Sequence, residues 1–120
     1  MTRFIVPPEE CGSLKEMISF LSGKWNLPIC IVLFNGSKRF NELKEELSQR
    51  AGEEICSSSL SHALKNLEDQ GFITRNVVVD STPVKVEYSL TEKGKALENV
   101  VKAILEWTQK YNQSEKDILA

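Results

Sequence analysis

The chain has 120 residues, 41% of them hydrophobic, enough to enclose one core and too few for two ordinary domains. With 15 Lys and Arg against 17 Asp and Glu the formal net charge is −2, so no global field draws the protein to nucleic acid or to an anionic membrane, and any such attraction must be local. No apolar run approaches the roughly 20 residues of a membrane span, MTRFIVPPEE has no secretory h-region, and 3 cysteines without CxxC spacing argue against both a disulfide framework and a zinc site.

These exclusions predict a cytoplasmic protein with free thiols, no metal, no cofactor and no membrane partner. Beyond the Pro7-Pro8 break, Leu14, Met17, Ile18 and Leu21 recur at the spacing of one helix face, and Gly23 stops that helix. The segment WNLPICIVLF is apolar nearly all round from Leu27 to Phe34, as in a short helix buried on every side. Pro28 fits its first turn, where a missing N–H has no intrahelical partner to lose. Asn35-Gly36 marks a turn, and Phe40, Leu43 and Leu47 begin a third, amphipathic helix.

A fourth helix follows in CSSSLSHALKNLEDQGFI, where Leu60, Ala63, Leu64 and Leu67 form a narrow inward stripe. Ser57 or Ser58 is placed to cap its first N–H groups and Gly71 to close it. From Phe72 the period changes to two. Val84, Val86, Tyr88 and Leu90 alternate with Lys85, Glu87 and Ser89 as in a half-buried strand, and Phe72 to Val79 precedes it across Asp80-Ser81-Thr82-Pro83 as the first strand of a hairpin. Thr91 caps a last helix that should run to about Asn112. Its seam of Leu97, Val100, Ile104, Trp107 and Tyr111, with Leu14 and Met17 of the first helix, is more apolar surface than one domain needs and predicts burial against a second copy.

The fold class expected is mainly α with a small β-hairpin, a winged helix-turn-helix whose N- and C-terminal helices form a dimer interface. It spans 1–120 as a single domain, with the helix-turn-helix at about 38–70, the wing at about 72–90 and the dimerisation helix at about 91–112. In such an arrangement the second helix of the pair can enter a major groove while the ribbon lies beside it.

Particular residues sharpen this reading: Cys11, GKW at Gly23 to Trp25, RF-x-EL at Arg39 to Leu43, I-x4-L-x3-L-x2-L from Ile55 to Leu67, EDQGF at Glu68 to Phe72, and VEYSLTEKG from Val86 to Gly94. In their order and spacing, over roughly residues 11 to 108, the chain resembles the HxlR-type family of winged helix-turn-helix transcriptional regulators, which are related to the MarR group. The resemblance implies a cytoplasmic homodimer on a pseudo-palindromic DNA operator, one recognition helix per half-site. Two departures stand out. Members usually have a couple of residues between the leucine ending the third helix and the isoleucine opening the fourth, where this chain has Ser48 to Glu54; Glu53 and Glu54 there would repel phosphate. Ala63 stands where members commonly carry arginine.

Projection at 100° per residue turns Ser58, His62, Lys65 and Asp69 away from the leucine stripe, with Ser59, Ser61 and Asn66 beside them. Such short polar side chains can hydrogen-bond base edges but neutralise little phosphate. The candidate DNA-reading residues are therefore Ser58, Ser59, His62, Lys65 and Asn66, with Lys38, Arg39, Lys44, Arg75 and Lys85 as candidate backbone and wing contacts. For any one lysine an ordinary solvated surface is the simpler account; the family pattern favours the set.

Cys11 aligns with a sensor cysteine of some HxlR-type members. Glu9 and Glu10 oppose its thiolate, while Lys15 and the nearby helix start favour it. Cys56 opens the fourth helix, where the helix dipole lowers a thiol's pKa, but it projects toward the core; Cys30 reads as a small apolar filler. Inert thiols are the default, with a redox switch at Cys11 or Cys56 as the alternative. His62 shares no helix face with Cys56 and faces solvent or DNA rather than a metal. No carboxylate pair, phosphate loop or nucleophile elbow points to an enzyme. The function expected is a homodimeric DNA-binding transcriptional regulator responsive to a small-molecule effector or to thiol oxidation. The competing class is a winged-helix protein-interaction module.

Overall fold

The computed structural model describes residues 8, 11–80 and 82–119, with side chains as far as 112. Five helices and three strands run α1 (Cys11–Ser22), α2 (Asn26–Leu33), β1 (Lys38–Arg39), α3 (Phe40–Ala51), α4 (Ser57–Asp69), β2 (Ile73–Val78), β3 (Lys85–Leu90) and α5 (Glu92–Leu119). The core is built around α2, whose Ile29, Cys30, Val32 and Leu33 are all buried. It is closed by Leu43 and Leu47 of α3, by the α4 stripe Leu60, Ala63, Leu64 and Leu67, and by Phe20, Ile55, Phe72, Ile73, Leu90 and Leu97.

The GKW turn has a steric origin. Asn26 is buried, and its Nδ2 donates to the Phe20 carbonyl at 3.0 Å, satisfying one of the orphan acceptors at the end of α1. A Cβ on Gly23 would collide with that amide, at 2.7 Å from its Cγ. At the start of α3 the Glu42 carboxylate accepts the Arg39 backbone N–H at 2.9 Å, reaching back from the third helical residue as in a capping box.

The segment Ser48 to Glu54 is shared between helix and turn. Its first four residues extend α3 to Ala51, and Gly52 at φ 69° ends it, donating its N–H to the Ser48 carbonyl at 3.1 Å. Ser48 Oγ accepts the Ile55 N–H at 3.2 Å, and the buried Ile55 pins the turn to the core. The exit of α4 is a Schellman motif: Phe72 N–H donates to Leu67 O at 2.9 Å and Gly71 N–H to Glu68 O at 3.0 Å, with Gly71 at φ 81°.

Five expectations are corrected. The sheet has three strands in the order β1-β3-β2, because Lys38–Arg39 pairs with β3; two residues are too few to show a period in the sequence. Neither Ser57 nor Ser58 is the N-cap of α4. That position is Cys56, and no side chain caps it. Leu97, expected on the seam between copies, is 4% exposed and packed in this chain's own core. The last helix runs beyond Asn112 to Leu119, and Val79 and Val84 lie outside the paired strands.

Thr91 does cap α5, accepting the Gly94 N–H at 3.2 Å. Its backbone N–H donates to the Phe72 carbonyl at 3.0 Å, tying α5 to the exit of α4. Gly94 packs directly against that carbonyl; an added Cβ would overlap the Phe72 oxygen and lie 2.8 Å from Leu90 Cδ2. Gly94→Ala should therefore destabilise the chain by about 1–3 kcal/mol, read as a lower urea midpoint, whereas Gly12→Ala, with nothing within 4 Å of the added methyl, should not. Equal midpoints for the two variants would refute the close approach.

Candidate nucleic-acid interface

Burial of Leu60, Ala63, Leu64 and Leu67 fixes the rotation of α4 and turns Ser58, Ser59, Ser61, His62, Lys65, Asn66 and Asp69 to solvent. Five of these are the reading residues chosen from the sequence, and they share one exposed face. Lys65 is not an independent cation there: its Nζ lies 3.2 Å from Asp69 Oδ1 and 3.8 Å from Glu68 Oε1. Exposed pairs of this kind are weak and exchange readily for a phosphate partner. Ala63, 8% exposed, spends its methyl on the core edge.

The cations around this face divide by the register of the sheet. Residues directly opposite in a ladder share a face, so Lys38, Tyr88 and Arg75 form one row and Arg39, Glu87 and Asn76 the next, on the other side. The first row faces α4, since Arg75 and Tyr88 line a crevice of about 170 Å³ with Ser61, Leu64, Lys65 and Glu68. Lys44 joins that side from α3, its Nζ 3.0 Å from Ser57 Oγ in the first turn of α4. Lys38, Lys44 and Arg75 are thus brought together around α4. Arg39 and Lys85 are not: Arg39 pairs with Glu87, and Lys85 with Val78 on the face opposite Arg75. Among the described residues none of these five cations forms an ion pair, while Lys24, Arg50 and Lys102 are held by Glu53, Glu46 and Glu98. The Lys24 pairing also answers half of the acidic segment, leaving Glu54 as its exposed unpaired carboxylate among the described residues.

The thiols differ in kind. Burial pushes the Cys30 thiol up to about 12. Cys56, projected inward from the sequence, is exposed. As N-cap it has extended torsions, φ −78° and ψ 150°, so the 100° helical projection does not reach it. Its Sγ sits 3.4 Å from Ser58 Oγ and 3.0 Å from Ser59 Oγ. Hydrogen bonds from the Ser58 and Ser59 hydroxyls, with that of the Ser59 backbone, lower its pKa to about 7. Cys11 is exposed on the first turn of α1; Glu9 and Glu10, weighed against its thiolate, lie outside the described residues. Among the described residues no group of three or more His, Cys, Asp and Glu could hold a metal, and no helix is long and apolar enough to cross a membrane.

The apolar residues assigned to a dimer seam remain solvent-facing apart from Leu97 and the half-buried Met17. Ile18 of α1 is 66% and Trp107 of α5 62% exposed, with Leu14, Leu21, Val100, Ile104, Leu105 and Tyr111 also open. Trp107 and Tyr111 pack with ring centroids 5.4 Å apart and planes tilted by 42°. Sequence reasoning placed Leu14 here but left Leu105 off the seam, because it falls a quarter-turn from the heptad line.

The model of the HxlR-like helix-turn-helix family matches residues 20–116. The HTH-type transcriptional regulator YvaP of Bacillus subtilis is 38% identical over 103 residues, 86% of this chain and 90% of that protein. The reduced form of the transcriptional regulator YodB from Bacillus subtilis superposes with a TM-score of 0.74 at 34% identity, covering 89% of this chain and 95% of that one; YodB has also been solved with quinone bound. A MarR-family regulator from Enterococcus faecalis V583 gives a TM-score of 0.75 at 27% identity over 98% of this chain and 99% of that one.

The chemistry at Cys56 is directly measurable. Alkylation of the native protein by iodoacetamide, followed site by site in a mass spectrometer, should show Cys56 half-reactive near pH 7, faster as pH rises and the thiolate fraction grows, with Cys30 protected until unfolding. A Cys56 midpoint at the ordinary thiol value of about 8.5, unmoved in Ser58→Ala/Ser59→Ala, would remove the hydroxyl contacts as its cause.

Proposed function

We propose, from the premise that the chain belongs to the HxlR-like helix-turn-helix family of transcriptional regulators, that it is a cytoplasmic homodimer that binds a double-stranded DNA operator in a sequence-specific way. The observation that carries this reading is the exposed polar face of α4, held in a fixed rotation by its buried stripe and flanked on one side of the sheet by Lys38, Lys44 and Arg75. Ser58, Ser59, His62, Lys65 and Asn66 meet base edges in the major groove, where Asn pairs well with adenine and hydroxyls with either donor or acceptor edges. Lys38, Lys44 and Arg75 take phosphates, Lys44 beside the positive end of α4. Arg39 and Lys85, on the other side of the ribbon, take phosphates only from a strand that wraps its far face.

Two copies meet through α1 and α5. Leu14, Met17, Val100, Ile104, Trp107 and Tyr111 leave water in the dimer, and the 28 residues of α5, roughly 42 Å of helix at 1.5 Å per residue, span the separation of two half-sites one turn apart. The effector is a thiol-reactive molecule, of the class that the quinone-bound relative suggests. Cys56, at the N-cap of the reading helix, is the thiol whose modification would reach the DNA face most directly, and Cys11, beside the seam, is the second candidate. The alkylation series above decides whether Cys56 has the reactivity that this requires.

A mobility-shift titration on the chain's own promoter tests the DNA face. Wild type should bind with log K falling linearly in log salt, and three phosphate contacts per subunit predict a slope of about −5 for the dimer. Lys65→Ala/Asn66→Ala should bind at least tenfold more weakly, each lost base contact costing about 1–3 kcal/mol. Wild-type affinity in that double variant rules out this face, and binding of a protein partner with no response to salt would favour the interaction-module reading instead.

Light scattering tests the seam. The wild-type chain should be dimeric at micromolar concentration, and Ile104→Glu/Trp107→Glu should be a folded monomer that has lost operator binding. A wild-type monomer sinks the dimer.

A further inference from the structure

A second concave surface lies between α2 and α3, and none of the contacts above uses it. Trp25, at the N-cap of α2, is followed at three-residue steps by Pro28 and Ile31 along one side of that helix, and Leu47, Arg50 and Ala51 share a side of α3; together they line a crevice of about 260 Å³. Five of these six side chains are apolar. Leu47 is the least exposed at 1%, and Trp25, Pro28 and Ile31 are half-buried. Arg50 and Ala51 belong to the segment Ser48 to Glu54, so this wall comes from the residues that extend α3 before Gly52 ends it. Ala51 contributes only a methyl to a space that a larger side chain would fill. At the rim, Arg50 donates to Glu46 Oε1 at 3.2 Å, and Lys24, 5.1 Å over the Trp25 ring, is paired with Glu53.

We infer that this crevice is a binding site for a small uncharged aromatic molecule of one or two rings, held by packing and not by a covalent bond. Three observations select that occupant. The first is size: an apolar cavity of roughly 150 Å³ takes a benzene, so about 260 Å³ suits a ring with a substituent or a fused pair. The second is charge. Two cations at the rim are matched by two carboxylates, so the mouth has no net charge to draw an anion in, and beyond Arg50 the walls offer an anion no donor for the charge they would desolvate. The third is isolation. Among the described residues no exposed large hydrophobic side chain stands on α2 or α3, so the crevice lacks the strip of successive anchors that a docking helix or a second copy needs. The Trp25 ring and the aliphatic walls of Pro28, Ile31 and Leu47 would take the faces and edges of the guest, and Arg50 would cover it with its methylene stem while its guanidinium stays with Glu46.

The test uses the full chain labelled with nitrogen-15 and unlabelled indole as the probe. Indole should give saturable shifts of the Trp25 indole N–H and of the Ile31, Leu47 and Ala51 amides, with a Kd below about 1 mM; the Trp25 signal is told from that of Trp107 by its loss in Trp25→Phe. Ala51→Phe, which fills the crevice from an exposed position, should keep the wild-type melting temperature and weaken indole about tenfold or more by excluding it. Ala51→Leu gives the same reading with a smaller side chain should the ring disturb the fold. Arg50→Gln, which keeps most of the stem and loses the charge, should bind indole within about twofold of wild type, and benzoate should shift none of these signals. Shifts that rise linearly and never saturate, shifts confined to α1 and α5, or undiminished indole binding in folded Ala51→Phe and Ala51→Leu would each overturn the inference. Tighter binding of benzoate than of indole, lost in Arg50→Gln, would overturn it too, in favour of an anion site. No outcome bears on the DNA-binding reading of α4, on which the inference does not rest.

Discussion

The carbonyl of Phe72 is the point on which the geometry of the molecule depends. The Phe72 N–H closes α4 through Leu67, its oxygen accepts the Thr91 N–H that starts α5, and its ring packs on Phe20 of α1 with centroids 4.5 Å apart. Lys93 completes the joint, donating to the Gln70 carbonyl at 2.8 Å and standing 4.4 Å over the Phe72 ring. Every one of these contacts uses a backbone group or a ring face, and the side-chain vacancy at Gly94 lets the helix come close enough to make them. The first helix, the exit of α4 and the long terminal helix are therefore fixed relative to one another within a few residues. An interaction that turned α5 would have to turn α4 with it or break these hydrogen bonds.

Much of this was legible in the sequence because burial imposes a period. The stripe Leu60, Ala63, Leu64 and Leu67 fixed which side of α4 is dry, and Gly71 marked the turn, since only a left-handed residue lets Phe72 reach back to Leu67. The errors fall where periodicity has no purchase. A two-residue strand carries no alternation, so β1 was invisible, and with it the row that sets Lys38 beside Arg75 and Arg39 away from them. Cys56 was turned the wrong way because a helical wheel was extended one residue past the helix. Leu97 was placed on the outer seam because its heptad spacing matches that of Ile104, but the first turns of α5 lie against the core and only later turns leave it.

The electrostatic economy of the chain also becomes intelligible. A protein with more carboxylates than cations could still meet a polyanion if its acids were occupied elsewhere. Glu53, Glu46 and Glu98 are paired with Lys24, Arg50 and Lys102, while Lys38, Lys44 and Arg75 form no ion pair among the described residues. Net charge is a poor guide to such a surface, because it averages over the side of the molecule that a ligand never sees. On α4 itself Lys65 is shared with Asp69 and Glu68, so that face offers shape and hydrogen bonds more than charge.

The attachment of α5 through the Phe72 joint has a consequence for modularity. Among the described residues its ties to the core run through its first turns, at Thr91, Lys93, Gly94, Leu97 and Val101. A foreign coiled-coil seam spliced on after Val101 would leave each of those ties untouched. The outer length of α5 can thus be replaced without disturbing the joint that orients α4, so the two ends of the molecule are structurally separable.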